Sequence, residues 1–300
     1  MVGLRTYDYK NNLPVLANEM GLRSPRSFQV DKSKVTSFAG AEGRIQRIVR
    51  PGAFAGSTGV AGTVRPLPRG KVADNAVVAS TTTVISLATA NHFIATEELS
   101  VLAPYAVLTL AGTWAASDDA VAVIDGVSIT YTATGAVLAD IATGLAAAIN
   151  ASPYLSRKVM AIADGAVVYV YAKDFESLYT TTASETTAGD GTLTAGAAAM
   201  VAGASIGTIA SVDADALTVT LSAASAVSLP VGFPIGVAGS LPYDDNGSGY
   251  GMLSPNQTLD LEWSEMENMH GVFVGATVYK DKLPYIDDQL KKLFPEMQFI

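Results

Sequence analysis

The chain has 300 residues, 49% of them apolar and 16% charged, with no cysteine and only two histidines, His92 and His270. That length and apolarity suffice for a sizeable core and exclude disorder along the whole chain, while the missing thiols exclude disulfides, zinc–thiolate and iron–sulfur centres and cysteine nucleophiles. The net charge of −9 is unevenly divided: residues 1–71 hold 12 Lys/Arg against 4 Asp/Glu and residues 72–300 hold 7 against 24, so a basic segment of net +8 precedes an acidic body of net −17.

The opening MVGLRTYDYK lacks the apolar core of a signal peptide. Residues 1–71 are punctuated by Pro14, Pro25, Pro51, Pro66 and Pro68, and their apolar residues show no sustained period. This predicts an extended basic N-terminal arm that gains order by lying on a partner. In such an arm Leu13, Val15, Leu16, Phe28 and Ile45 would bury apolar surface. Arg5, Lys10, Arg23, Arg26, Lys32, Lys34, Arg44, Arg47 and Arg50 would steer it. An acidic protein surface fits the arm better than nucleic acid, because the attached body would repel phosphate.

From residue 72 short alternating runs of Val, Thr, Ala and Ser predict strands joined by tight turns. Segments near residues 82–103 and 217–238 look alike at an offset of 134, with Ile85 matching Val219, Leu87 matching Leu221 and Val101 matching Ile235. The fold class expected is therefore mainly β: a β-barrel or sandwich body from 72–104 plus 205–283, with an inserted α+β domain at 105–204 and the extended arm at 1–71. Within the insertion, Asp125-Gly126 and Asp164-Gly165 mark two hairpins, and Val137, Leu138, Ile141, Leu145 and Ile149 predict a helix over 137–150. The polar, low-complexity run that follows reads as an exposed loop. Thr258–Trp263 and Val272–Tyr279 read as strands, and residues 284–300 as a short C-terminal helix and tail. The best membrane-span candidate, 101–116, is broken by Pro104 and Gly112, so no membrane partner is expected.

Two motifs invite a chemical reading. Gly203-Ala204-Ser205-Ile206-Gly207 matches the nucleophile elbow G-x-S-x-G, with Asp213 and His270 following in the right order. The elbow needs a strand before it and a helix after it, and strand-forming residues follow here. Asp244-Asp245-Asn246-Gly247-Ser248-Gly249 resembles the start of a calcium loop, but Pro255 stands where the bidentate glutamate belongs. No catalytic residue, metal site or cofactor is expected.

Residues 207–237, GTIASVDADALTVTLSAASAVSLPVGFPIGV, resemble strand pairs of tailed-bacteriophage head decoration (cement) proteins. Residues 121–152 resemble small domains embedded in phage head and tail proteins, and the first 25 residues resemble the arms by which cement proteins grip a shell. The resemblance implies a non-enzymatic virion protein, made in the host bacterial cytoplasm, that binds the major capsid protein on the capsid exterior and stabilises the shell as a homo-oligomer, commonly a trimer. A tail, baseplate or fibre component involved in host attachment is the alternative. The scattered aromatic residues, 8% of the chain, favour the head.

Overall fold

A computed structural model describes residues 16–23, 26–35, 37–39, 45–49, 53–60, 62–89, 92–175, 177–242, 252–253, 259–260, 269–273, 275–278, 283, 286–294 and 297–300. The first strands are β1 (Leu16–Arg23), β2 (Arg26–Val30), β3 (Ser37–Ala39), β4 (Ile45–Val49), β5 (Ala55–Ser57), β6 (Thr63–Pro66) and β7 (Arg69–Lys71). They are followed by β8 (Val84–Ser86), β9 (Glu98–Ser100), β10 (Tyr105–Ala111), β11 (Asp119–Ile124), β12 (Val127–Thr132) and the helix α1 (Leu138–Ala151). Next come β13 (Val159–Asp164), β14 (Val167–Ala172), β15 (Thr181–Thr186), β16 (Thr192–Ala195), β17 (Ser205–Asp213), β18 (Thr218–Leu221) and β19 (Pro234–Val237). The last elements are β20 (Met252–Leu253), β21 (Leu259–Asp260), β22 (Met269–Phe273), β23 (Gly275–Val278), α2 (Asp288–Leu293) and β24 (Met297–Phe299). The protein is mainly β.

Six strands make one sheet in the order β7-β19-β9-β17-β18-β8. The sheet curls until its outer strands meet at an antiparallel bridge between Val72 and Leu87, where Ala73 N donates to Ser86 O (2.8 Å) and Ala88 N to Lys71 O (2.9 Å). Alternation along each strand sends one set of side chains inward. Ile85, Leu87, Leu99, Ile206, Val219, Leu221 and Ile235 fill the interior with Phe93 and Phe233.

The internal resemblance is written into the pairing. Ile85 and Val219, equivalent residues of the two repeats, lie directly opposite each other between β8 and β18. Between β9 and β19, Ser100 faces Gly236, a register that one further step would carry to the equivalent pair Val101 and Ile235. The repeat also reaches further back than residue 82. Lys71 faces Pro234, and the residues equivalent to them at an offset of 134, Ser205 and Ser100, also face each other. Two three-stranded units, β7-β8-β9 and β17-β18-β19, thus close one barrel about a pseudo-twofold axis through the β8/β18 and β9/β19 pairs.

The chain between the units, from Tyr105 to Met200, has its own core. It holds the sheets β13-β14-β10-β16 and β12-β11-β15. The helix buries Ile141, Ala142, Leu145, Ala146 and Ile149 against them. Asp125 (φ 50°) and Gly126 (φ 75°) form the tight β11–β12 turn in left-handed backbone conformations. Strand β14, VVYVYA, is buried on both faces: Val168 and Val170 point into this core, whereas Tyr169 and Tyr171 point into the barrel's. The Tyr105, Tyr169 and Tyr171 rings meet Phe233 edge-on at centroid distances of 5.6, 6.3 and 5.1 Å, which fixes the insertion on the barrel. The segment expected as an exposed loop instead forms β15 and β16. Threonine is a good strand former, and the segment buries Thr181 on one strand and Leu193 on the other.

The two ends of the chain do not stand apart. Strand β1 pairs with β23, and β23 with β24. Strand β2 lies between β22 and β6 in the sheet β20-β22-β2-β6-β5, and β4 lies between β21 and β3. The boundary expected at residue 71 therefore does not separate an arm from a body, since β7 is a barrel strand and β1, β2 and β4 pair with strands after residue 250. Likewise, β21, β22 and β23 pair with the N-terminal strands β4, β2 and β1. The residues after α2 return to a strand, β24. Local patterning could not reveal the pairings of β1, β2 and β4 with β23, β22 and β21, because those partners lie more than 200 positions away.

Candidate attachment surface

The basic segment was expected to present its cations outward. Several of them are instead used within the protein. Asp31 Oδ1 accepts from the backbone N and the hydroxyl of Ser33 (2.9 and 2.7 Å), which tightens the 3-10 turn Lys32–Lys34. That turn swings Lys34 Nζ to 2.8 Å from Glu97 Oε1. Arg65, on β6 and 2% exposed, donates through Nη1 to the same oxygen (2.6 Å) and through Nη2 to His92 O (2.7 Å). One glutamate from the loop before β9 thus holds two cations of the N-terminal segment. A buried carboxylate shared in this way is costly to strip of its partners.

A second junction ties three parts of the chain together. Arg69, on β7, donates through Nε to Asp287 Oδ2 (2.5 Å) and through Nη2 to Gln289 Oε1. Asp287 is the N-cap of α2, its Oδ1 accepting from Leu290 N at 2.9 Å. Gln289 Nε2 reaches the carbonyls of Ala172 (2.8 Å) and Asp174 (2.9 Å) in the insertion, and the Arg69 guanidinium lies 4.8 Å from the centre of the Phe175 ring. Around this junction Asp288 meets Lys173 (3.1 Å) and Lys291 (3.5 Å), and Asp174 meets Lys292 (3.1 Å). Burial by itself would raise the Asp288 carboxyl, but the Lys173 hydrogen bond and charge, with Lys291, hold it below its ordinary value. Burial opposes ionisation of Asp174 in the same way, yet its bonds from Ser177, Tyr179 and Lys292 keep it lowered.

Of the remaining residues named from the sequence, those that the structure places on strands are spread over three sheets. Leu16 and Arg23 end β1. Arg26 and Phe28 lie on β2 opposite Val272 and His270. Lys32 opens the 3-10 turn, and Ile45 and Arg47 lie on β4 opposite Ala39 and Ser37. Arg5, Lys10, Leu13, Val15, Arg44 and Arg50 lie outside the described residues. Arg65 and Arg69 were missed from the sequence. Their signal is a pair of cations around the apolar run Pro66-Leu67-Pro68, which call for a carboxylate partner once buried.

Ser205 opens β17, and its hydroxyl bonds Glu98 Oε1. The residues after it continue as a strand rather than the helix of a nucleophile elbow. His270 belongs to β22, in a different sheet. The loop 244–249 lies outside the described residues. Among the described residues no group of three or more His, Cys, Asp or Glu is placed to hold a metal ion, and no helix is long and apolar enough to cross a membrane.

No protein-family model matches the chain, and no curated protein matches it. Among solved structures, a chain of Mycobacterium phage Patience is similar over 69% of this chain and 95% of its own length, with 11% identity and a TM-score of 0.25. A superposition at that level assigns neither a shared fold nor a role.

Proposed function

We propose that the protein is a non-enzymatic structural component of a tailed-phage particle, a decoration protein that binds the outside of the head and stabilises the shell. Its partners on this reading are the major capsid protein and further copies of itself, most simply a trimer. The observation that carries the reading is the segregation of charge. Glu97 and Asp287 take up Lys34, Arg65 and Arg69, and counting those two carboxylates against the +8 of residues 1–71 still leaves +6. Such an excess beside an acidic body suits an acidic protein surface outside the molecule.

Exposed ion pairs supply only about 0–1 kcal/mol each and weaken with salt. Arginines at such a surface would therefore set rate and register, while Leu13, Val15 and their apolar neighbours supply most of the affinity. The strand pairing dictates the experiment. Removing residues 1–50 would take β1–β4 out of their sheets, so two smaller changes are compared: deletion of residues 1–15, and Arg44→Ala, Arg47→Ala and Arg50→Ala together. Attachment to expanded shells is followed across a salt series. The deletion should weaken attachment, and the triple change should slow it and flatten its salt dependence. Full occupancy at an unchanged rate by both variants would remove the basic segment from the interface.

A further inference from the structure

The insertion contains a corner that the attachment reading does not use. Lys158 Nζ lies 4.2 Å from the centre of the Tyr154 ring and 5.4 Å from that of Tyr179. The same ammonium is 2.5 Å from Asp125 Oδ2 and 2.5 Å from the Tyr154 hydroxyl. The Tyr154 hydroxyl is also 3.3 Å from Asp125 Oδ2, and the Tyr179 hydroxyl donates to Asp174 Oδ2 at 2.9 Å. Both rings are thus pinned through their hydroxyls. Tyr154 nevertheless remains 50% exposed, and Leu178, which precedes Tyr179 in the chain, is 56% exposed.

Fastening the β11–β12 turn accounts for part of this arrangement, since Asp125 lies in that turn and Lys158 immediately precedes β13. It does not account for an aromatic ring held still and turned to water. We propose that the corner binds a neutral saccharide, with one pyranose ring stacked on Tyr154 and its hydroxyls bonded to Asp125 and Lys158. A pyranose presents an apolar C–H face edged by adjacent hydroxyls, and it needs a ring surface flanked by an acceptor and a donor. Asp125 Oδ1 has no hydrogen-bond partner among the described residues, and an ammonium carries three protons, of which Asp125 and Tyr154 take two. The Lys158–Asp125 pair is neutral as a unit, so the corner favours no charged ligand. The ammonium also fills the space between the two rings, leaving no aromatic slot for a proline-rich peptide. A ring already pinned loses little freedom when a ligand stacks on it.

The test uses saturation-transfer difference NMR on the intact protein, with cellohexaose, maltohexaose and N-acetylated chitohexaose as neutral probes and sialyllactose as the anionic comparison. At least one neutral probe should receive saturation at its ring C–H protons with a Kd of roughly 0.1–10 mM. Tyr154→Ala should weaken that binding at least about tenfold, while Tyr154→Phe, which keeps the ring, should stay within about threefold. Asp125→Ala should weaken it without altering the far-ultraviolet circular dichroism. Silence from all three neutral probes, an unchanged signal in Tyr154→Ala, or a preference for sialyllactose would each overturn the proposal.

Discussion

Arg69 on the barrel and Asp287 at the start of the C-terminal helix are 218 positions apart in sequence and 2.5 Å apart in space. Both side chains are almost fully buried, at 1% and 5% exposure. Because Gln289 carries the contact on to Ala172 and Asp174, this pair joins the barrel, the insertion and the chain's last helix at one point. Removing the cation leaves a buried carboxylate without it, which typically costs about 3–5 kcal/mol. Arg69→Ala should therefore lower the urea midpoint strongly. Arg69→Lys should recover only part of the loss, because a lysine cannot serve Asp287 and Gln289 together as a guanidinium does.

Acid should loosen the same corner first. Asp174 and Asp288 are held below their ordinary values in the folded protein. A carboxyl lowered on folding contributes stability that is fully present above its unfolded value and is lost as pH falls through the folded one. The contribution of α2 should therefore be intact at neutral pH and fade below about pH 4. Hydrogen exchange at residues 288–293, compared at neutral pH and in mild acid, reads this directly. Protection that stays level down to the acid unfolding transition would count against these ion pairs.

Two glycines of the insertion should behave oppositely. Gly112 has φ +73°, and a Cβ there would overlap the Asp190 carbonyl, which is backbone and cannot swing away. Gly135 has open space around it. Gly112→Ala combines backbone strain with a steric clash and should cost about 2–5 kcal/mol. Gly135→Ala should stay within about 0.5 kcal/mol. Thermal unfolding of the two variants provides the comparison.

The insertion's docking rests on Phe233, which is fully buried against Tyr105, Tyr169 and Tyr171. Phe233→Ala should cost about 3–5 kcal/mol. It should also let the insertion move on the barrel, visible as a loss of the near-ultraviolet tyrosine dichroism. A variant that loses stability but keeps that signal would mean the insertion is held elsewhere.

Local signals made much of the centre of the chain legible. The Asp125-Gly126 turn, the spacing of Ile141, Leu145 and Ile149, and the match of Ile85 with Val219 each depend on neighbours or on a repeated pattern, and each has its counterpart in the structure. The ends were not legible for a physical reason. Strands such as β2 and β4 are short and irregular by themselves and become strands by pairing with β22 and β21, more than 200 positions later. Arg65 and Arg69 counted from the sequence only as part of a basic segment. Their partners Glu97 and Asp287 come from other parts of the chain, so only the fold shows that these charges are turned inward. The meeting of Tyr154 and Tyr179 at Lys158 was hidden in the same way, as two scattered aromatic residues.

Counting copies of this chain per purified particle against the major capsid protein tests whether the protein decorates the outside of a phage head. Quantitative mass spectrometry of intact virions gives the ratio. The account predicts hundreds of copies, in fixed proportion to the capsid protein and lost together when the shell is stripped of its outer layer. A count of a few to a few tens, or copies that leave with detached tails, would contradict it.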